Sequence, residues 1–206
     1  MQFREWRSKV LSTVFRWYLA LVRSTARLEI SGEELLREEH IIGFWHEDSS
    51  IMNLVLERVA SESVKLLILI TSAVRGDVIE RLVQYYGAEG FRVDYAEKGT
   101  ASIRRLMRRA MEKVTIAVAW DGPSGPLHEP KKLPFLLAAR AGKSILGISV
   151  RYSAALRLPW RWDRYVVPLP FTRISAMIRP IALPEKSEWK DAAVLRQTVD
   201  CLLPES

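Results

Sequence analysis

In FWHEDSSIM (residues 44–52), His46 closes an apolar run and is followed at once by Glu47 and Asp48. An imidazole takes a proton from a hydroxyl near neutral pH, and a carboxylate beside it fixes its tautomer and supports the imidazolium that forms. In AVAWDGPSGP (residues 117–126), Asp121 closes a second apolar run and opens a loop whose Gly122 and Gly125 permit unusual backbone angles and close approach of a ligand. One histidine and one acid are enough for general-base chemistry if the chain brings them together. The same residues have a plainer reading: His46 as a polar strand end, Glu47 and Asp48 as favourable first-turn charges, and DGPSGP as a tight turn. His40 opens the same strand and reads as structural, whereas His128 lies in the loop with either role open.

Other chemistries find little support. Ser124 stands in GPSGP rather than in a Gly-x-Ser-x-Gly elbow, so it reads as a loop residue. No phosphate-cradling lysine motif and no paired dinucleotide-binding glycines are present, which argues against nucleotide hydrolysis and nicotinamide chemistry. Cys201 is the only cysteine, so an internal disulfide is excluded, and no Cys–His spacing suits a metal.

The elements that must position these residues alternate along the chain. Apolar runs at 40–45, 64–70, 91–95, 114–120 and 144–150 read as strands, and helical periodicity falls at about 47–60, 76–86, 100–113 and 134–141. Strands separated by crossover helices imply an α/β fold, a mostly parallel central sheet flanked by helices. Strands near 163–168 and 173–181 sit close together, as an antiparallel pair at an edge would, and Ser187 is placed to cap a final helix over 187–203. In such a sheet ligands gather where strands end and helices begin, and both His46 and Asp121 fall there.

A chain of 206 residues with 49% hydrophobic and 27% charged residues fits one folded domain of ordinary size. Ahead of it, residues 9–28 place Val10, Val14, Trp17, Tyr18, Leu21 and Leu28 at helical spacing, with Arg16, Arg23 and Arg27 on another side. This predicts an amphipathic helix that either lies on a membrane surface or packs on its own domain; we divide the chain into a membrane-associating helix at 1–30 and one α/β domain at 31–206. No window approaches the roughly 20 apolar residues of a membrane span. The stretch also lacks the small-residue cleavage pattern of a secretory signal. The net charge of +7 collects in residues 1–30 and 98–113 and suits anionic partners. Aromatic residues do not interleave with the basic helix as base-stacking platforms would, so no nucleic-acid partner is expected.

FWH at 44–46, AVAWDGPSGP at 117–126 and WDRYVVPLPFTRISAMIRPI at 162–181 together resemble a bacterial branch of the lysophospholipid acyltransferase superfamily, one catalogued as a domain of unknown function. The order and spacing match over most of residues 30–181. The resemblance implies transfer of a fatty acyl group from a thioester of coenzyme A or acyl carrier protein, as co-substrate and without a cofactor, to a hydroxyl of a lysophospholipid or related lipid. His46 would be the base. In the superfamily an aspartate five positions on orients this histidine, but here that position is Ile51, so Asp121 is the first candidate and Asp48 and Asp77 are the others. By the same resemblance Lys98 and Gly99 would meet the acceptor's phosphate. For the oxyanion, the expected donors are backbone N–H groups of the loop formed by Gly122, Pro123, Ser124 and Gly125. The expected partners are membrane lipid and the acyl carrier, at the cytoplasmic face of the inner membrane. A catalytically inactive lipid-binding or scaffold protein of the same fold is the alternative. Trp160, Arg161 and Trp162 read either as a second interfacial contact or as a packed aromatic patch.

Overall fold

A computed structural model describes residues 2–61, 64–71, 74–93 and 99–203. Helix α1 (Gln2–Thr25) precedes strand β1 (Arg27–Ser31), which is followed by β2 (Ile41–Phe44), α2 (Ser49–Ser61), β3 (Leu66–Thr71), α3 (Val74–Tyr85), β4 (Glu89–Val93) and α4 (Gly99–Ala110). Then come β5 (Thr115–Ala119), α5 (Leu133–Ala141), β6 (Ile145–Tyr152), the short β7 (Ala155–Arg157) and β8 (Val166–Pro168), β9 (Arg173–Ile181) and α6 (Ala192–Val199).

Seven strands form one sheet in the order β1-β9-β6-β2-β5-β3-β4, and β7 pairs with β8 in a separate antiparallel hairpin. Five neighbours, β6, β2, β5, β3 and β4, run parallel, as their crossover helices require. The central strands are apolar on both faces, which is why they read as continuous runs rather than alternating ones. Along β2, Ile42 and Phe44 face one helix layer while Ile41 and Trp45 face the other. The first layer gathers Leu19 and Val22 of α1, Ile51 and Val55 of α2 and Val83 of α3. The second gathers Leu106 of α4, Phe135 of α5 and Leu195 and Val199 of α6.

Three expectations change. The helix read over 9–28 ends at Thr25, and Leu28 belongs to β1, which pairs in parallel with β9 at the edge of the main sheet. The boundary drawn at residue 30 therefore falls inside a strand of the α/β domain. Strand β9 is antiparallel to β6 but not at an edge, because β1 covers it, and β8 has left the sheet for the hairpin. The C-terminal segment is not one helix from Ser187: Ser187 makes no side-chain cap, and the Asp191 carboxylate instead accepts the Ala193 N–H at 2.8 Å to start α6.

Candidate active site

Strands β2 and β5 are adjacent and parallel, with Ile41 opposite Ile116 and Phe44 opposite Ala119. Continuing that register sets Trp45 beside Trp120 and His46 beside Asp121 at one rim of the sheet. The Trp120 N–H donates to the Phe44 carbonyl at 2.8 Å, which carries the ladder one rung past the strands. Trp120 lies across Gly43 of β2 so closely that a Cβ there would enter its ring, so the flat platform under the rim depends on that glycine.

On this platform the Asp121 Oδ1 atom accepts the His46 backbone N–H at 3.2 Å and stands 3.3 Å from His46 Nδ1. A carboxylate only accepts, so the pair assigns the proton to Nδ1 and leaves Nε2 as the free base. Asp121 is fully buried and its Oδ2 has no partner among the described residues, while the His46 side chain keeps 27% of its surface exposed. The acid is thus sheltered and the base is open to solvent.

The three residues after Trp45 form one turn of 3-10 helix, in which successive side chains diverge by about 120°. Glu47, buried, accepts from His128 Nε2 at 2.7 Å and from the Arg157 guanidinium at 2.9 Å. Asp48, also buried, accepts from the Tyr152 hydroxyl at 2.9 Å. Burial, reinforced by the neighbouring Glu47 charge, pushes the Asp48 carboxyl up to about 8. Asp48 therefore turns to Tyr152 and away from His46. Asp77, on α3, is ion-paired with Arg92 at 2.7 Å. Of the three acids named for orienting His46, Asp121 is the one hydrogen-bonded to it. Ile51 is packed in the core under α2.

The Gly-Pro loop has left-handed backbone at Gly122 (φ 64°) and Gly125 (φ 74°). Gly122 N–H is taken by the Ala119 carbonyl at 3.3 Å, and Pro123 has no N–H to give. Ser124 and Gly125 are the donors that remain, and Ser124 is exposed. Gly99 is the first residue of α4, and Lys98 lies outside the described residues.

Two groups near His46 stand outside the site expected from the sequence: Trp162, read there as an interfacial contact or a packed aromatic, and Asp163. The Trp162 ring stacks at a tilt against the imidazole, 5.2 Å between centroids, and presses on Gly125 where a side chain would collide with it. Trp160, by contrast, is 77% exposed. Asp163 is fully buried and grips Arg161 through two hydrogen bonds of 2.8 and 2.5 Å. Burial alone would raise the Asp163 carboxyl, but the Arg161 fork offsets it, His46 adds to the effect, and the group ends below the usual aspartate range. The Trp-Asp-Arg signature in the sequence was the available signal; its approach to His46 is a product of the hairpin that leaves the sheet. His40 lies at the foot of β2, where its Nδ1 meets Ser144 Oγ at 2.7 Å.

No family model matches this chain, and no curated protein matches it in sequence. Among solved structures it is similar to the 1-acyl-sn-glycerophosphate (LPA) acyltransferase PlsC from Thermotoga maritima, with a TM-score of 0.54 and 17% sequence identity over 99% of this chain and 80% of that one. At that identity the likeness is one of fold: an α/β acyltransferase fold with a mostly parallel sheet between helices.

Proposed function

We propose that the protein is an acyltransferase that moves a fatty acyl group from a thioester of coenzyme A or acyl carrier protein to a hydroxyl of a lysophospholipid or related lipid. The observation that carries this reading is His46 Nδ1 held against buried Asp121, with Nε2 free beside a glycine-rich loop. In the reaction His46 Nε2 takes the proton of the acceptor hydroxyl as its oxygen attacks the thioester carbonyl carbon. A C–O bond forms, the carbonyl oxygen becomes an oxyanion facing the Ser124 and Gly125 N–H groups, and collapse breaks the C–S bond. The departing thiolate recovers the proton from the imidazolium. One oxyanion donor is typically worth about 3–4 kcal/mol of barrier. Lys98 and Gly99 are the proposed contacts for an acceptor phosphate.

The membrane is the proposed working surface. No helix among the described residues is long and apolar enough to cross a bilayer. Helix α1 nevertheless exposes Trp6, Val10, Leu11, Val14, Trp17 and Leu21. An apolar stripe of this kind supports peripheral attachment, and the surface proposed is the cytoplasmic face of the inner membrane, where a water-borne acyl donor would meet a lipid acceptor.

The test is purified protein with acyl thioester donors and a panel of lysolipids, followed by mass spectrometry of the products. His46→Ala should lower turnover roughly 10²- to 10⁴-fold. Asp121→Asn should lower it comparably with little change in KM, since the amide supports the wrong tautomer. Undiminished transfer by His46→Ala would remove the imidazole from the chemistry. A second reading, an inactive lipid-binding protein, is favoured by Ile51 in the place of the superfamily's orienting acid. It is the outcome if wild type binds lysolipid without turnover.

A further inference from the structure

Two grooves among the described residues run between α1 and α3, and neither is lined by His46. The first, of about 370 Å³, is lined by Lys9, Ser12 and Arg16 of α1 and by Arg81, Gln84 and Tyr85 of α3. Two of its three cations share one acid: Glu5 stands 3.2 Å from Lys9 and 3.8 Å from Arg81. Arg16 has no ion pair among the described residues; its guanidinium lies 4.5 Å over the Tyr85 ring, which fixes it facing the groove. The neighbouring groove, of about 430 Å³, differs in kind, because its Arg92 is already held by Asp77 and Glu80 at 2.7 Å each.

The position of the first groove on α1 matters as much as its charge. At about 100° per residue, Trp6, Val10, Val14, Trp17 and Leu21 fall within roughly 80° of arc, and Lys9 and Arg16 project from the adjoining sector about 60–80° away. Those five apolar side chains are 40–70% exposed. One helix thus presents a cationic groove directly beside an apolar stripe. A phospholipid has the matching form, an anionic headgroup joined to acyl chains.

We propose that the groove between α1 and α3 is an accessory site for the headgroup of an anionic phospholipid, its phosphate seated among Lys9, Arg16 and Arg81 while the α1 stripe lies in the acyl boundary. The inference rests on the membrane reading above and adds to it a lipid selectivity and an orientation, at a site separate from His46. Guanidinium forks suit phosphate oxygens, and the flanking tryptophans suit the headgroup level of a bilayer.

The experiment is vesicle flotation of the full chain on phosphatidylcholine alone and on phosphatidylcholine with phosphatidylglycerol. Wild type should partition more strongly to the mixed vesicles. Each basic residue removed near such a surface lowers partition about fivefold, so Lys9→Gln/Arg16→Gln/Arg81→Gln should erase the preference and keep the residual binding to phosphatidylcholine. Arg16→Gln alone, which alters no core residue, should erase part of it. Removing the same charge from α4 and the turn after it, by Arg104→Gln/Arg108→Gln/Lys113→Gln, should leave most of the preference in place. An equal fall in both triple variants would replace the site with diffuse charge and overturn the proposal. Wild type that binds both vesicles equally overturns the headgroup site but leaves membrane attachment standing. Wild type that floats with neither vesicle overturns attachment itself. Inorganic phosphate that fills the groove as tightly without vesicles, read from arginine side-chain resonances, would make it a free-anion site and overturn the lipid assignment.

Discussion

Three consecutive side chains at the end of β2 do three different things. His46 meets Asp121, Glu47 ties His128 to Arg157, and Asp48 hydrogen-bonds Tyr152. The 3-10 turn separates them, and burial then differentiates two neighbouring carboxyls. Asp48 predicts a measurable pH dependence. An unfolded aspartate titrates near 3.9, whereas Asp48 in the fold is pushed up to about 8. The folded state keeps the proton over that interval, so this group's contribution is full below about pH 4, declines as pH rises towards 8 and is level above. Asp48→Asn keeps an acceptor for Tyr152 and nothing to ionise. The melting temperature of the variant relative to wild type should therefore rise between pH 4 and 8 and then hold steady; a difference that is constant across this range would contradict a buried protonated Asp48.

At the scale of elements, the site is closed by two segments that the central sheet does not hold. The Gly-Pro loop after β5 and the β7–β8 hairpin are joined through Glu47, which binds His128 of the one and Arg157 of the other. Trp162, beyond β7, presses on Gly125 and so couples the same two segments over His46. The hairpin is also anchored to α1, where the Tyr18 hydroxyl donates to the Pro168 carbonyl. Replacing Glu47 with Ala removes hydrogen bonds of which each, to a charged group, contributes about 1.5–3 kcal/mol. The expected outcome is a lower melting temperature together with faster limited proteolysis within residues 158–165, while the register of β2 on β5, fixed by backbone pairing, persists. Proteolysis unchanged from wild type would mean that the hairpin is held by packing alone.

At the scale of the molecule, α1 belongs to the domain and also faces away from it. Leu19 and Val22 are fully buried against the first helix layer, and β1, directly after it, completes the sheet beside β9. A chain beginning at residue 29 would lose those core contacts and the first two residues of β1, Arg27 and Leu28. Burying a Leu or Val side chain is worth about 1.5–3 kcal/mol each, against a total stability of about 5–15 kcal/mol for a typical domain. Such a truncated chain should be destabilised or insoluble, seen as a lost or much lowered thermal transition. Trp6→Ser/Trp17→Ser, confined to the exposed stripe, should melt like wild type and lose vesicle binding. A truncated chain that melts like the full protein would show that α1 is an appendage after all.

The sequence by itself determined the alternation of strands and helices, because parallel central strands must be apolar on both faces and their crossover helices amphipathic, and these are local patterns. It also marked His46, Asp121 and the glycine loop as strand-end residues. It did not reveal β1, since Arg27 and Leu28 read as the tail of an amphipathic helix and the short, partly exposed RLEIS becomes a strand only where β9 supplies a partner. It put Asp121 ahead of Asp48 and Asp77 but did not seat any of them against the imidazole, nor did it bring Asp163 and Trp162 there. Those outcomes depend on which strands become neighbours and on a hairpin leaving the sheet, contacts between residues 75 to 146 positions apart that no local periodicity encodes.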